Sequence, residues 1–422
     1  MSPTPLEVTA TALFALAVAH TFSVSFFHRW AARFPEGSVA ENFLHLLGEI
    51  EVVFGIWAAV LVAAIALSRG GSEAIAYVES QNFTEPLFVF VIMAMAATRP
   101  VIALASRAIG AVSRLLPLPG ELAFLFSLLS VGPLLGSFIT EPAAMTVTAL
   151  ILRDRFFSHA MKTSTRYLVL GTLFVNVSIG GALTPFAAPP IVMVAAKWGW
   201  TLPFMLGTFG SRVALAVLLN AFVTTAWVWK HDPHFRRTSH SKKAGAGAPW
   251  WLVSLHLCLL ALVVCTAHHP AIFVAFFLFF IGMVDVTREY QDAPKLRESL
   301  LVAFFLAGLV VLGGMQAWWL RPTLAALSPT QLFFGAAALT AVTDNAALTY
   351  LGSQVDLHAL AKYALVGGAI AGGGLTVIAN APNPAGFSIL KGTFQGGAIN
   401  PLRLFAGALF PTAVAAACLW FL

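Results

Sequence analysis

Two stretches far apart in the chain say nearly the same thing. Residues 137–146 read S-F-I-T-E-P-A-A-M-T, and residues 340–349 read T-A-V-T-D-N-A-A-L-T. In register, Thr140 falls on Thr343, Glu141 on Asp344 and Thr146 on Thr349. A second pair follows in the same order. Residues 180–184 read G-G-A-L-T before P-F-A-A-P-P, and residues 372–376 read G-G-G-L-T before V-I-A-N-A-P-N-P. Lys197 and Lys391 trail the two motifs at similar distances. Two motifs repeated in one order imply a duplication of about 200 residues per half.

Composition decides what the halves are made of. The chain is 59% hydrophobic and 10% charged, where a soluble domain carries roughly 25% charged residues. Its apolar runs are continuous and ~20 residues long, as transmembrane helices require, and do not alternate as barrel strands do. The expected fold is an all-α polytopic membrane protein. Glu7 precedes the first apolar run and no basic segment leads it, so a cleaved signal peptide is not expected. Cys258, Cys265 and Cys418 lie in apolar segments and form no C-x-x-C, which gives no redox or zinc site. A net charge of +6 would suggest nucleic acid for a soluble protein. Here cytoplasmic loops account for it, and no nucleic-acid partner is expected.

The first repeat is read as residues 1–229, with apolar spans at 6–27, 43–68, 86–106 and 208–229. Within it, 121–152 is too long for one span and is interrupted by Thr140-Glu141-Pro142, which suits a re-entrant helical hairpin. Residues 167–197 form a helix broken at Gly180-Gly181 and its following prolines. Residues 230–249 are a polar, basic linker. The second repeat, 250–422, has spans at 250–266, 270–286, 299–319 and 402–422, a hairpin at 329–354 and a broken helix at 360–391. Each half then makes about five crossings. An odd number inverts one half against the other, the plan of many secondary transporters. With the linker in the cytoplasm, only Arg69, Lys197, Arg212, Arg321 and Lys362 of the 24 basic residues fall outside. That asymmetry places both termini outside a cell inner membrane.

A carboxylate inside such an apolar segment is a functional candidate by default. Interrupted backbone at membrane depth must be buried or line a wet cavity, and it frees carbonyls from helical bonding. Carbonyls, hydroxyls and carboxylates are hard ligands suited to a small hard cation. One half-site would use Asp344, Asn345, Thr343, Asn380 and Asn383. The other would use Thr140, Glu141 and Thr184. A structural reading stands beside this one: Thr-Asp-Asn and Thr-Glu-Pro also read as helix N-caps, where an acid only complements the helix dipole. Glu41, His45 and Glu49 recur every fourth residue and would share a helix face. They read either as the polar side of an interfacial helix or, for His45 and Glu49, as a proton relay.

These residues look like the ion transporter superfamily, whose members carry two inverted repeats, each with a hairpin and a broken helix. The segments T-D-N-A-A-L-T-Y-L-G and G-G-G-L-T-V-I-A-N-A-P-N-P-A-G resemble a bacterial family labelled putative sodium/proton antiporters, over essentially the whole chain. Dicarboxylate carriers of that superfamily place Ser-Asn-Thr at both hairpin tips. This chain departs from them with Glu141 and Asp344, and an acid there would repel an organic anion.

The expected function is antiport of a cation, sodium, against protons by alternating access, with lipid as the surroundings and no cofactor. The alternative is sodium- or proton-coupled transport of a small organic solute. An enzyme is not expected, because no H-E-x-x-H, G-x-S-x-G or metal-spaced His/Cys set is present. Members of this plan are often dimers, so a homodimer is expected by analogy alone.

Overall fold

The computed structural model describes residues 3–157, 161–232, 248–394 and 397–422, whose regular structure is helical with no strand among them. Among the described residues, seven helices are long and apolar enough to cross a bilayer, or eight when one bent pair counts as a span. Three shorter apolar helices, Trp250–Cys265, Pro270–Val286 and Ala359–Gly372, coincide with further expected segments. Of the expected linker, residues 233–247 lie outside the described residues.

Four expected spans divide. Those read as 6–27 and 299–319 break at Ser23 and at residues 314–316. The segment read as 86–106 becomes helices Thr84–Ala96 and Arg99–Leu115, bent by 70°. Pro100 sits in the first turn of the second helix; it lacks an N–H and disfavours helical backbone at the residue before it. The segment read as 43–68 becomes helices Val39–Leu47 and Ile50–Arg69, with Gly48 closing the first.

The chain forms two compact units, and each draws on residues from both sides of the linker. One comprises Met1–Phe90, Leu296–Ser328 and Tyr350–Leu357. Its first helix, Pro5–Phe22, opens on a capping box. Thr4 Oγ1 accepts from Glu7 N, and Glu7 Oε2 accepts from Thr4 N at 2.7 Å. Helix 50–69 packs against helix Leu296–Gly313. A Cβ on Gly308 would meet the Gly55 backbone, the small-residue contact that draws membrane helices together. Tyr77 and Tyr350 donate their hydroxyls to the carbonyls of Val311 and Val310 at 2.5 and 3.2 Å.

The other unit comprises Val91–Lys295, Pro329–Thr349 and His358–Leu422. Its core gathers Leu125, Leu129, Met145, Phe156 and Phe174, all fully buried. Helix Gly120–Ile139 stops at Thr140, and helix Glu141–Ile151 begins at the next residue. These two helices fold back on each other. The Thr148 methyl fills the space a Cβ on Gly132 would need, and a Cβ on Gly136 would lie 3.2 Å from that of Ala144. At the open end, Arg155 donates to both oxygens of Glu121 at 2.8 and 2.9 Å and stacks on Phe124.

Candidate functional site

Three kinds of interruption place the site, all in the second unit. The first is Thr140, the one non-glycine residue with positive φ among the described residues, at φ 73 and ψ 151. That region belongs essentially to glycine, and a residue held there stores ~1–3 kcal/mol. Pro142 follows in the first turn of helix 141–151. The second is the break between helices Thr163–Gly180 and Pro189–Trp198, where residues 181–183 tighten into a 3₁₀ turn. The third is the break between helices Ala359–Gly372 and Asn383–Leu390. Glycines, prolines and asparagines occupy these points because each permits or stabilises backbone that has left the helix.

The breaks bring buried polar groups together. Glu141 is 0% exposed and stands at the start of its helix, where the dipole favours negative charge. Its Oε2 accepts from Asn380 Nδ2 at 2.9 Å, across 239 residues of sequence. Its Oε1 has no hydrogen-bond partner. Neither do Thr140 Oγ1, the Oδ1 atoms of Asn380 and Asn383, or both amide atoms of Asn345. Asn345 N donates to the carbonyl of Ala379, next to Asn380, at 3.1 Å. Asn383 Nδ2 donates to Gly373 and Thr376 carbonyls at 2.7 and 2.8 Å, which leaves its oxygen free to face another donor or a cation. Two glycines make room. A Cβ on Gly181 would strike the Glu141 carboxylate, and one on Gly373 would strike Ser178 Oγ and lie 2.8 Å from Asn345 Nδ2. A leftover polar atom at such depth costs ~1–3 kcal/mol. One carboxylate oxygen with hydroxyl and amide oxygens is a donor set that fits a small hard cation or a proton.

The two carboxylates singled out from sequence differ in surroundings. Asp344 is half-buried and caps helix Asn345–Ser353, its Oδ1 accepting from Ala346 N at 2.8 Å and Ala347 N at 3.2 Å. Thr343 donates its hydroxyl to Leu339 of the preceding turn at 3.0 Å. Thr184 donates to the Ser137 carbonyl at 2.6 Å and so ties the first break to helix 120–139. Glu141, Asn345, Asn380 and Asn383 are thus linked by short contacts or by shared backbone, while Thr184 supports them from outside.

The stripe of Glu41, His45 and Glu49 does not persist. Helix 39–47 ends before Glu49, whose carboxylate instead accepts from Arg297 at 2.6 Å. Glu41 remains 3.6 Å from His45, and His45 Nδ1 lies 3.2 Å from His28 Nδ1. These residues belong to the first unit.

Sequence reasoning passed over two residues that shape the site. Ser137 donates to the Gly180 carbonyl at 2.6 Å and accepts from Leu183 N at 2.9 Å. Ser178 donates to the Ile370 carbonyl at 2.8 Å, joining the two interrupted segments. Its signal was a lone serine two residues before a glycine pair.

Apolar helices of spanning length, with interrupted backbone enclosed in the protein, define a multi-pass integral membrane protein. The chain belongs to the family described as "Putative Na+/H+ antiporter", whose profile matches residues 5–422. That membership implies a transporter. No curated protein matches the sequence.

Proposed function

We propose that the chain exchanges a small cation, sodium, for protons by alternating access, and that Glu141 is the carboxylate that holds one or the other. The observation that carries this is Glu141 Oε1, a fully buried carboxylate oxygen without a partner, on a side chain bonded to Asn380, whose own Oδ1 is unpartnered like the oxygens of Thr140 and Asn383. A group that binds a cation only when ionised and a proton only when vacant of cation couples the two fluxes by itself. Asp344, the leading candidate from the sequence, is assigned here to capping. Thr140, Asn345, Asn380 and Asn383 supply the neutral oxygens, and Thr184 and Thr343 fix the backbone around them.

Recurring contacts support an inverted-repeat reading with a re-entrant hairpin in each half. Thr184 donates to the Ser137 carbonyl at 2.6 Å, and its counterpart Thr376 donates to the Ala341 carbonyl at 2.8 Å. Gly180 abuts the Pro133 carbonyl, and its counterpart Gly372 abuts that of Ala337. The distribution of basic residues supports an inner-membrane orientation with both termini outside.

The test is flux in proteoliposomes of purified protein with an imposed pH gradient. Sodium should drive proton movement in the opposite direction, and sodium-independent proton movement would overturn the exchange reading. A reporter fused after Leu422 that behaves as cytoplasmic would overturn the orientation alone.

A further inference from the structure

Away from the breaks, the second unit holds a cavity of about 650 Å³, within the roughly 300–1,000 Å³ of small-molecule sites. It lies about 18 Å along helix 163–180 from Gly180, counted from Leu168 at ~1.5 Å per residue. Three helices build it. Helix Pro401–Phe421 contributes Arg403, Ala406, Gly407 and Phe410, a stripe at helical spacing. Helix 163–180 contributes Thr163, Ser164, Tyr167 and Leu168 from its first turns. Helix Ser211–His231 contributes Val223 and Trp227.

The walls are amphipathic along their length. Arg403, Thr163 and Ser164 all belong to first turns, so two helix N-termini and a guanidinium share one end. Pro401 has no N–H and Arg403 N already donates to Asn400 Oδ1 at 3.1 Å, so what this end offers an anion is the Arg403 guanidinium with the Thr163 and Ser164 hydroxyls. Trp227 is exposed at the same end, with His231 stacked on it at 4.0 Å, as tryptophans sit at membrane–water interfaces. Beyond lie Leu168, Val223, Ala406 and Phe410, an apolar channel on the flank of a bilayer-spanning helix pair. The nearby acid is turned away. Asp232 accepts from Lys162 N at 3.0 Å and Thr165 Oγ1 at 2.7 Å. At 100° per residue Thr165 lies about 160° around the helix from Tyr167 and about 100° from Ser164.

We infer that this cavity binds an anionic phospholipid, with its phosphate against Arg403, Thr163 and Ser164 and an acyl chain along the apolar wall. A free phosphate would leave the wall unfilled, and an uncharged lipid would leave Arg403 unanswered. The site stands on the membrane-spanning character of the chain and is independent of the exchange reading.

The test uses native mass spectrometry of the delipidated full-length protein, titrated with phosphatidylglycerol or phosphatidylcholine of the same chains. The wild type should retain phosphatidylglycerol preferentially. Arg403→Gln should weaken that retention roughly fivefold, the factor one basic residue contributes near anionic headgroups, and leave phosphatidylcholine unchanged. Ala406→Phe fills the apolar wall, keeps the charge and should weaken both lipids. Glycerol 3-phosphate should displace neither. Undiminished phosphatidylglycerol preference in Arg403→Gln, unaltered binding in Ala406→Phe, or displacement by glycerol 3-phosphate would overturn the inference. An Arg403→Gln protein that does not fold leaves the Ala406→Phe and glycerol phosphate measurements to decide.

Discussion

Glu141→Gln isolates the charge of the buried carboxylate from its shape. Glutamine keeps the side-chain length and an oxygen to accept from Asn380 Nδ2, which lies 2.9 Å from Glu141 Oε2. The fold should survive, because the substitution removes a buried charge rather than a partner to one. What disappears is the attraction between a carboxylate and a bound cation. At ~4 Å and an effective dielectric constant of about 20, that attraction is ~4 kcal/mol. At ~1.4 kcal/mol per tenfold, sodium binding should weaken by up to about three orders of magnitude. Two assays read this out: sodium titration of the purified variant by calorimetry, and sodium-driven proton movement in proteoliposomes. Both should fall to background while the variant elutes and melts like wild type. Sodium binding within tenfold of wild type in a folded Glu141→Gln protein would refute the assignment and return Asp344 to first place.

Four further outcomes follow from the same geometry. Asp344→Asn should retain most of the flux, since asparagine caps about as well as aspartate, while Asp344→Ala should lose ~1 kcal/mol of stability in detergent melts. Thr140→Gly should raise the melting temperature, because glycine accepts φ 73 and ψ 151 without the ~1–3 kcal/mol that threonine stores there. The same change should weaken sodium binding through loss of the hydroxyl, and an unchanged melt would remove the strain argument. Gly373→Ala should abolish flux by pushing its Cβ into Ser178 and Asn345, with expression in the membrane fraction as the control for folding. Apparent sodium affinity should fall about tenfold per pH unit on the acid side of the Glu141 titration, because proton and cation compete for one group. A pH-independent affinity in the calorimeter would separate the two sites.

Where backbone must break was legible in the sequence, and how side chains meet across it was not. The breaks at residues 181–188 and 373–382 and at Thr140 announce themselves by Gly, Pro and Asn inside apolar runs, and these are local effects. Glu141 and Asp344 occupy equivalent positions in the repeated motif, and local reasoning favours Asp344 because Thr343 and Asn345 flank it where Pro142 follows Glu141. The difference is tertiary. Asp344 turns onto the N–H groups of its own helix, while Glu141 meets Asn380 from the other half. The Glu41–Glu49 stripe failed for a nearby reason. Gly48 ends the helix one residue before Glu49, and spacing arithmetic assumes a continuous helix. The bend at Thr98 was signalled by Arg99-Pro100, a dipeptide too short to outweigh an apolar run read as one span.

The unpartnered oxygens around Glu141 bear on leakage. An exchanger slips when it crosses the membrane with nothing bound, dissipating one gradient without harvesting the other. In this chain an empty, closed site would bury the oxygens of Thr140, Glu141, Asn380 and Asn383 with nothing to bond, at ~1–3 kcal/mol apiece. A charged carboxylate sealed in without a counter-ion adds several kcal/mol more. In the proposed exchange, futile transits would therefore be the rarest ones. The polar atoms assigned to the cargo would also hold the stoichiometry, and a variant that replaces one of them by an apolar group of similar size should bind less and slip more.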